Sequence, residues 1–327
     1  MRQAKKILLT GCNGFIGTNF LNLIYESYPD LEIFNIDNLD FEISTNNHND
    51  KDSNRYHFIH GSILDKELLN KLFAVNKFDQ IINFAANSHV DNSITNPEAF
   101  TYNNVLGTQR LLDMALKYEP DLFLQISTDE VYGSLEFNSP STTELAAIQP
   151  NNPYSASKAG ADCLVRSYYR TFQLPCIITR SSNNFGPYQY PEKFIPVVIS
   201  NALDNQSIPV YGTGNNVRDW IYVKDNCRAV DLVRSKGQIG EIYNIPGHEE
   251  VANIDLARTI LKVLGKDESL IKFVEDRKGH DLRYSMDGSK LKALGFKLEE
   301  SFEDGLAKTI EWYKTNTNWL KVKSAAV

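Results

Sequence analysis

The sequence predicts an α/β protein: a doubly wound, mainly parallel sheet with helices on both faces, followed by a smaller mixed α/β C-terminal lobe. Three observations carry this. Short β-rich runs alternate with amphipathic helical runs through the first half, the pattern of a parallel sheet. The β-rich runs are nearly continuous in apolar residues, as strands buried on both sides are. From about Gly186 the texture changes to loop-rich segments with Pro, Gly and aromatics, such as "GPYQYPEKFIP" and "VYGTGNNVRDW".

Taken in order, "KKILLT" reads as the first strand and "GFIGTNFLNLIYESY" as the first helix. "EIFNID" and "YHFIHG" follow as strands, separated by the polar stretch 41–55, which reads as an exposed loop. "KELLNKLFAV" is a helix, "FDQIINFAA" a strand, "NNVLGTQRLLDMALKY" a longer helix and "DLFLQIST" a strand. "SASKAGADCLVRSYYRTF" and "PCIITRSSN" complete the alternation as helix and strand. The expected division is residues 1–185 for the sheet domain and 186–327 mainly for the second lobe, with some later segments returning to the first. "NIDLARTILKVLG" and "SFEDGLAKTIEWYKT" supply helices of that lobe.

The 327 residues suffice for one large domain or two modest ones, and 42% apolar with 23% charged residues fits a globular chain. A net charge of −7 argues against general affinity for nucleic acid or anionic membranes. No apolar run reaches the length of a membrane span. Cys12, Cys163, Cys176 and Cys227 show no CxxC pair and the histidines no HxxxH or HExxH pattern, so no metal is expected. Scattered thiols point to a reducing, cytoplasmic location.

"TGCNGFIG" places Gly11, Gly14 and Gly17 between the first strand and first helix. Such glycines permit a tight turn, close approach of backbone to a pyrophosphate and close helix–strand packing, and the helix N-terminus offers free N–H groups to the phosphates. Asp37, ending "EIFNID", can accept hydrogen bonds from an adenosine ribose. No Arg or Lys stands beside it to receive a 2′-phosphate. The reading is a Rossmann-type site for NAD rather than NADP.

In "NPYSASKAGAD", Tyr154 and Lys158 share a helix face. A Lys ammonium near a Tyr hydroxyl lowers the phenol's pKa, and an oxidised nicotinamide adds positive charge. A phenolate so formed can take a proton from a sugar hydroxyl while hydride leaves the carbon. Ser127 and Thr128 come from the preceding strand end, where ligands collect in open α/β sheets. Asp129 and Glu130 follow them, in "ISTDEVYG". Burial of two acids is costly unless they are used. Successive strand residues point to opposite faces, so the pair must lie where the backbone turns if both acids reach one substrate.

"TGCNGFIG", "STDEVYG" and "YSASK" together resemble the extended short-chain dehydrogenase/reductase family. "FAANSHVDNSI", "SSNNFGPYQYPEKFIP", "VRDWIYVKD" and "DRKGHDLRYSMD" are similar to the nucleoside-diphosphate-glucose 4,6-dehydratases, over residues 5–315. Thr128-Asp129-Glu130 is the deciding motif: related decarboxylases and GDP-mannose dehydratases tend to carry Thr-Ser-Glu there. The resemblance implies dehydration of dTDP- or UDP-glucose to a 4-keto-6-deoxy sugar with recycled NAD. Tyr154, aided by Thr128 and Lys158, would deprotonate the carbon-4 hydroxyl as hydride leaves. Glu130 would remove the carbon-5 proton while a protonated Asp129 donates to the departing carbon-6 hydroxyl. Hydride then returns to carbon 6.

The resemblance also implies a cofactor set of Gly11, Gly14, Phe15, Ile16, Gly17, Asp37, Ser62, Ile63, Ala85, Ala86, Ser88, Asn104, Ser127, Tyr154, Lys158 and Asn183. It implies substrate contacts from Ser88, His89, Thr128, Asn184, Glu192, Lys193, Arg218, Asn253, Arg277, His280 and Tyr284, with Asp91 in a loop near the cofactor and His280 structural rather than catalytic. A homodimer through residues 100–118 and 154–172 is implied as well. Three departures stand out: Ser62 where Asp is usual, Asn87 where Glu is frequent, and Lys278 where Pro is usual. The competing readings are a nucleotide-sugar epimerase or decarboxylase of the same scaffold, and a non-enzymatic dinucleotide sensor. Intact Thr128, Asp129, Glu130, Tyr154 and Lys158 speak against the sensor.

Overall fold

The computed structural model describes residues 4–39, 47–48 and 50–320. In chain order its strands are β1 (Lys6–Thr10), β2 (Glu32–Asp37), β3 (Tyr56–His60), β4 (Gln80–Asn83), β5 (Leu122–Thr128), β6 (Cys176–Ser181), β7 (Asn183–Phe185), β8 (Ile208–Tyr211), β9 (Val217–Tyr222), β10 (Ile242–Ile245), β11 (Glu250–Ala252) and β12 (Ile271–Val274). Its α-helices are α1 (Phe15–Ser27), α2 (Lys66–Val75), α3 (Val90–Thr95), α4 (Pro97–Phe100), α5 (Gly107–Tyr118), α6 (Pro153–Phe172), α7 (Phe194–Leu203), α8 (Val223–Lys236), α9 (Asn253–Leu264), α10 (Ser289–Ala293), α11 (Phe302–Thr315) and α12 (Thr317–Leu320).

Seven strands pair in the order β10-β6-β5-β4-β1-β2-β3, every pair parallel. The order reverses between β1 and β4, and a crevice opens at such a switch point beyond the strands' C-terminal ends. The strands are apolar on both faces because both are covered. Ile7, Leu9 and Leu124 pack with Phe20, Ile24 and Val230 on one side. Leu8, Ile81 and Phe123 pack with Leu72, Leu111 and Val165 on the other. Near the crevice, polar side chains of neighbouring strands form a hydrogen-bonded chain, where Thr10 Oγ1 donates to Asn83 Oδ1 (2.6 Å) and Asn83 Nδ2 to Gln125 Oε1 (2.9 Å). Such pairing removes the cost of burying them.

The second lobe is built from the three-stranded sheet β11-β9-β7 and the pair β12-β8, with a core from α7, α9 and α11. Residues 223–245 return to the main domain: α8 joins the core beside α1, and β10 forms the sheet edge against β6. The helix expected over 103–118 starts instead with a π-helical stretch, Thr101–Leu106, before α5. There the Asn104 side chain bonds outward, to the Asn87 carbonyl (3.0 Å) and to Ser157 Oγ (2.8 Å).

Part of the expected exposed loop 41–55 lies outside the described residues. Of the rest, His48 is buried, its Nε2 2.7 Å from the Cys12 carbonyl oxygen, and Asn47 Nδ2 donates to the Asn13 carbonyl (3.0 Å). This corrects the exposed-loop reading at these two positions: Asn47 and His48 lie against the β1–α1 turn, and burial holds the His48 pKa down at about 4.

Candidate active site

The β1–α1 turn is shaped by its glycines. Gly11 has φ +70°, and a Cβ there would lie 2.6 Å from Ala85 Cα. At Gly17 a Cβ would lie 2.5 Å from Cys12 Cα. Gly14 caps α1 without a side-chain bond, and no acidic residue sits in the first turn. The N–H groups of Phe15 and Ile16 thus face the crevice as an anion site. Beside it, Asp37 accepts from the amides of Asn13 (3.0 Å) and Leu39 (2.9 Å).

A cavity of about 300 Å³ runs from this turn across the sheet's C-terminal end. Gly11, Gly14, Phe15, Ile16, Gly17, Asp37, Ser62, Ile63, Ala85, Ala86, Ser88, Ser127, Thr128, Asp129, Glu130, Tyr154, Lys158 and Asn183 all line it. Asn104, assigned to the same set, does not. It is buried behind the wall, where it also accepts from the Asn87 amide (2.8 Å), so it fixes the lining segment from outside. Ser127 Oγ and Asn183 Oδ1 are buried without partners among the described residues. Orphaned polar atoms of this kind on a concave wall suit a ligand that completes them.

The chain does turn at the acidic pair. β5 ends at Thr128, and a single 3₁₀ turn, Asp129–Tyr132, begins. Thr128 Oγ1 donates to Asp129 Oδ1 (3.2 Å) and accepts from the Glu130 amide (3.3 Å). Both acids therefore face the same cavity. Asp129 Oδ2 is buried with no partner among the described residues. Burial, the Glu130 carboxylate and Asp219 push the Asp129 pKa well above the ordinary aspartate range. Burial also raises Glu130, but Arg218, Asn152 and Lys193 hold it back.

Tyr154 and Lys158 enter from the first turns of α6, which is fixed at its start by a capping box between Asn152 and Ser155. Lys158 Nζ donates to the Ile126 carbonyl (2.6 Å), tying α6 to β5. Burial lowers the Lys158 pKa to about 8, with the Asp162 carboxylate opposing. The expected lowering of the phenol's pKa by Lys158 is not what the chain's own groups produce. Burial, then Glu130 and Asp129, raise the Tyr154 pKa, and only its hydrogen bond with Thr128 pulls it down. Burial and the two acids set this direction, while the Lys158 ammonium donates to the Ile126 carbonyl.

A second cavity, of about 250 Å³, continues from Glu130, Ser88, Asn183, Asn184 and Lys193 into the smaller lobe. His89, Glu192, Arg218, Asn253, Arg277, His280 and Tyr284 line it too, so every residue expected to contact the substrate lies in one of the two joined cavities. Asp91 lies in α3 and pairs with Arg277 (Nε–Oδ1 3.2 Å) across this space. Arg218 stacks over the Tyr284 ring (4.3 Å) and donates to the Val217 and Asp281 carbonyls (2.8 and 2.9 Å). Lys193 Nζ donates to the Ser88 carbonyl (2.9 Å), and His280 Nδ1 sits 2.7 Å from Asp276 Oδ1. The reading of residues missed Asn152 and Tyr211. The signal for Asn152 was present, because an Asn ahead of Pro153 is a helix N-cap and sits two residues from Tyr154.

Comparison with known proteins agrees with this fold. Residues 8–309 match the family model described as GDP-mannose 4,6 dehydratase. The chain is 50% identical to the Low-salt glycan biosynthesis protein Agl12 of Haloferax volcanii, over 94% of this chain and 98% of that protein. It is 45% identical to dTDP-glucose 4,6-dehydratase 1 of Escherichia coli K12, over 98% and 96% of the two chains. It is also similar to a crystal structure of DesIV, a dTDP-glucose 4,6-dehydratase from Streptomyces venezuelae with NAD bound: TM-score 0.91, 44% identity, 97% and 99% coverage. With a Rossmann-type sheet, an acidic pair at the end of β5 and a match over nearly its whole length, this chain belongs to the GDP-mannose 4,6-dehydratase family.

Proposed function

We propose that this protein is a nucleotide-sugar 4,6-dehydratase acting on dTDP- or UDP-glucose with a recycled NAD. The observation that carries this is the unequal acid pair. Two neighbouring carboxyl groups face one cavity, with Asp129 driven furthest toward its protonated form while three groups favour the charged form of Glu130. An elimination needs an acid and a base on adjacent sugar carbons at once, and two carboxyl groups with separated pKa values supply both.

The lining fits NAD. The N–H groups of Phe15 and Ile16, at the glycine turn, would hold the pyrophosphate and Asp37 the adenosine ribose, with Ser62 and Ile63 beside the adenine. Around Asp37 the described lining is Ile36, Asn38, Gly61 and Ser62, with no cation for a 2′-phosphate. Ser127, Tyr154, Lys158 and Asn183 would hold the nicotinamide end, with Ala85, Ala86 and Ser88 as the wall. When bound, NAD supplies reversible hydride acceptance and, oxidised, a positive charge beside the phenol.

The chain's own work is proton transfer. Tyr154 takes the proton of the carbon-4 hydroxyl while Thr128 hydrogen-bonds the same oxygen. The ketone formed acidifies carbon 5, and Glu130 removes that proton. Asp129 gives its proton to the carbon-6 hydroxyl, which leaves as water, and Glu130 returns a proton to carbon 5. Lys193, Arg218 and Arg277 would neutralise the diphosphate, Arg277 exchanging Asp91 for phosphate oxygens, since a guanidinium meets them two at a time. Asn184, Glu192, Asn253, His89, His280 and Tyr284 would complete the sugar and nucleoside contacts. On this reading residues 1–185 hold the cofactor and 186–327 mainly the nucleotide sugar. The protein works as a homodimer through residues 100–118 and 154–172, where Tyr102, Leu116 and Phe172 leave apolar surface exposed.

Incubation with dTDP-glucose and UDP-glucose separately, followed by mass spectrometry, tests the reading. Loss of one water from either supports it, and loss from neither overturns it. Thymine and uracil differ by one methyl group, worth only about 1 kcal/mol, so both deserve a trial.

A further inference from the structure

We propose that Asn152 is a positioning residue for the base of the elimination, with one side chain serving two elements at once. Its Oδ1 accepts from the Ser155 amide (2.9 Å), and its own amide donates to Ser155 Oγ (3.3 Å), closing the box that starts α6 two residues before Tyr154. Its Nδ2 points the other way, donating to Glu130 Oε2 (3.5 Å). The side chain is buried and lines the cavity of the smaller lobe beside Glu130. An amide suits both tasks because it carries an acceptor and a donor on one rigid plane. Asn152 thereby fixes Glu130 relative to the phenol through the helix that bears the phenol. The inference rests on the dehydratase reading, because only there does Glu130 act as a base.

A cap alone would tolerate Asp or Ser, which serve as well as Asn at a helix N-terminus. The Glu130 contact would not. Asn152→Asp places an acid against Glu130, and Asn152→Ser is too short to reach it. The charged and titratable groups facing Glu130 are Asp129, Tyr154, Lys193, Arg218, Asp281 and Tyr284. All are unchanged in both variants, so a shifted pH profile reports the substituted side chain.

The test measures kcat against pH for dTDP-glucose dehydration and thermal unfolding, in wild type and both variants. Both variants are expected to melt with the wild type. Their kcat should fall on the order of tenfold, the loss of one hydrogen bond to a charged group. In Asn152→Asp the acid limb of the profile should also move up by about one pH unit, since a like charge disfavours ionised Glu130. An active wild type with both variants keeping its kcat and profile would show that Asn152 only caps α6, and would overturn the proposal while leaving the dehydratase reading intact. A wild type that yields no keto sugar from either dTDP-glucose or UDP-glucose overturns both.

Discussion

The hydroxyl of Thr128 and the carboxylate of Asp129 are joined by a 3.2 Å hydrogen bond at the end of β5. The same hydroxyl accepts the Glu130 amide at 3.3 Å, so one threonine fixes the turn that presents both acids. Lys158, bonded to the Ile126 carbonyl two residues before Thr128, holds the phenol-bearing helix against the same strand end. The acids and the phenol thus have a common anchor in β5. The roles proposed for them lead to separable outcomes.

Glu130→Gln keeps the shape of the side chain and removes the base. Dehydration is expected to fall about 10²- to 10⁴-fold. Oxidation at carbon 4 needs Tyr154 rather than Glu130, so NADH absorbance should still rise on adding substrate. Loss of both signals in a folded variant that binds substrate would contradict the division of roles.

Tyr154→Phe removes the proton acceptor for the first step while keeping the ring. No NADH signal and no keto sugar are expected, with substrate binding retained by calorimetry. Wild-type turnover in this variant would remove the phenol from the chemistry.

Asp129→Asn tests the strain stored at the site. A carboxyl group whose pKa is higher folded than unfolded binds more protons in the folded state. Its contribution is therefore fully present below the unfolded value, about 3.9, and is lost as pH rises through the folded one. Burial and Glu130 place Asp129 in that class. Without added ligand, the variant should be as stable as the wild type in acid and increasingly more stable toward neutral pH, in melting curves taken across that range. A wild type that out-melts the variant at neutral pH would contradict the assigned direction.

Asp162→Ala tests the frame beneath the site. Arg180 Nε bonds Asp162 Oδ2 at 2.9 Å, both side chains almost fully buried, locking α6 to β6 one turn beyond Lys158. Removing the acid leaves a buried cation unpaired and should cost about 3–5 kcal/mol in denaturant unfolding. A cost near zero would mean that water reaches Arg180.

Much of this was legible in the residues. The alternation of strand and helix followed from burial periodicity, and the acid pair was expected where a strand must end, because both acids cannot share one strand face. Gly11 and Gly17 were readable because only glycine fits against Ala85 and Cys12. What escaped were properties set by tertiary contact. Asn104 has the polarity of a cleft residue but bonds sideways into α6 and the Asn87 segment, out of the cavity. His48, in a polar run, is buried against the β1–α1 turn. The direction of the Tyr154 shift is set first by burial and then by Glu130 and Asp129, two acids distant from it on the chain, so helix spacing to Lys158 alone did not show it.

The most direct test follows the atoms of the sugar. dTDP-glucose carrying deuterium on carbon 4 is incubated with the protein in ordinary water, unlabelled dTDP-glucose in deuterium oxide, and both products are read by NMR. Convergence of the phenol and both acids on one hexose predicts that the carbon-4 label reappears on carbon 6 and that carbon 5 takes one deuteron from solvent, with one water lost. Release of water without that transfer, or recovery of a carbon-4 epimer with carbon 6 still hydroxylated, would contradict it.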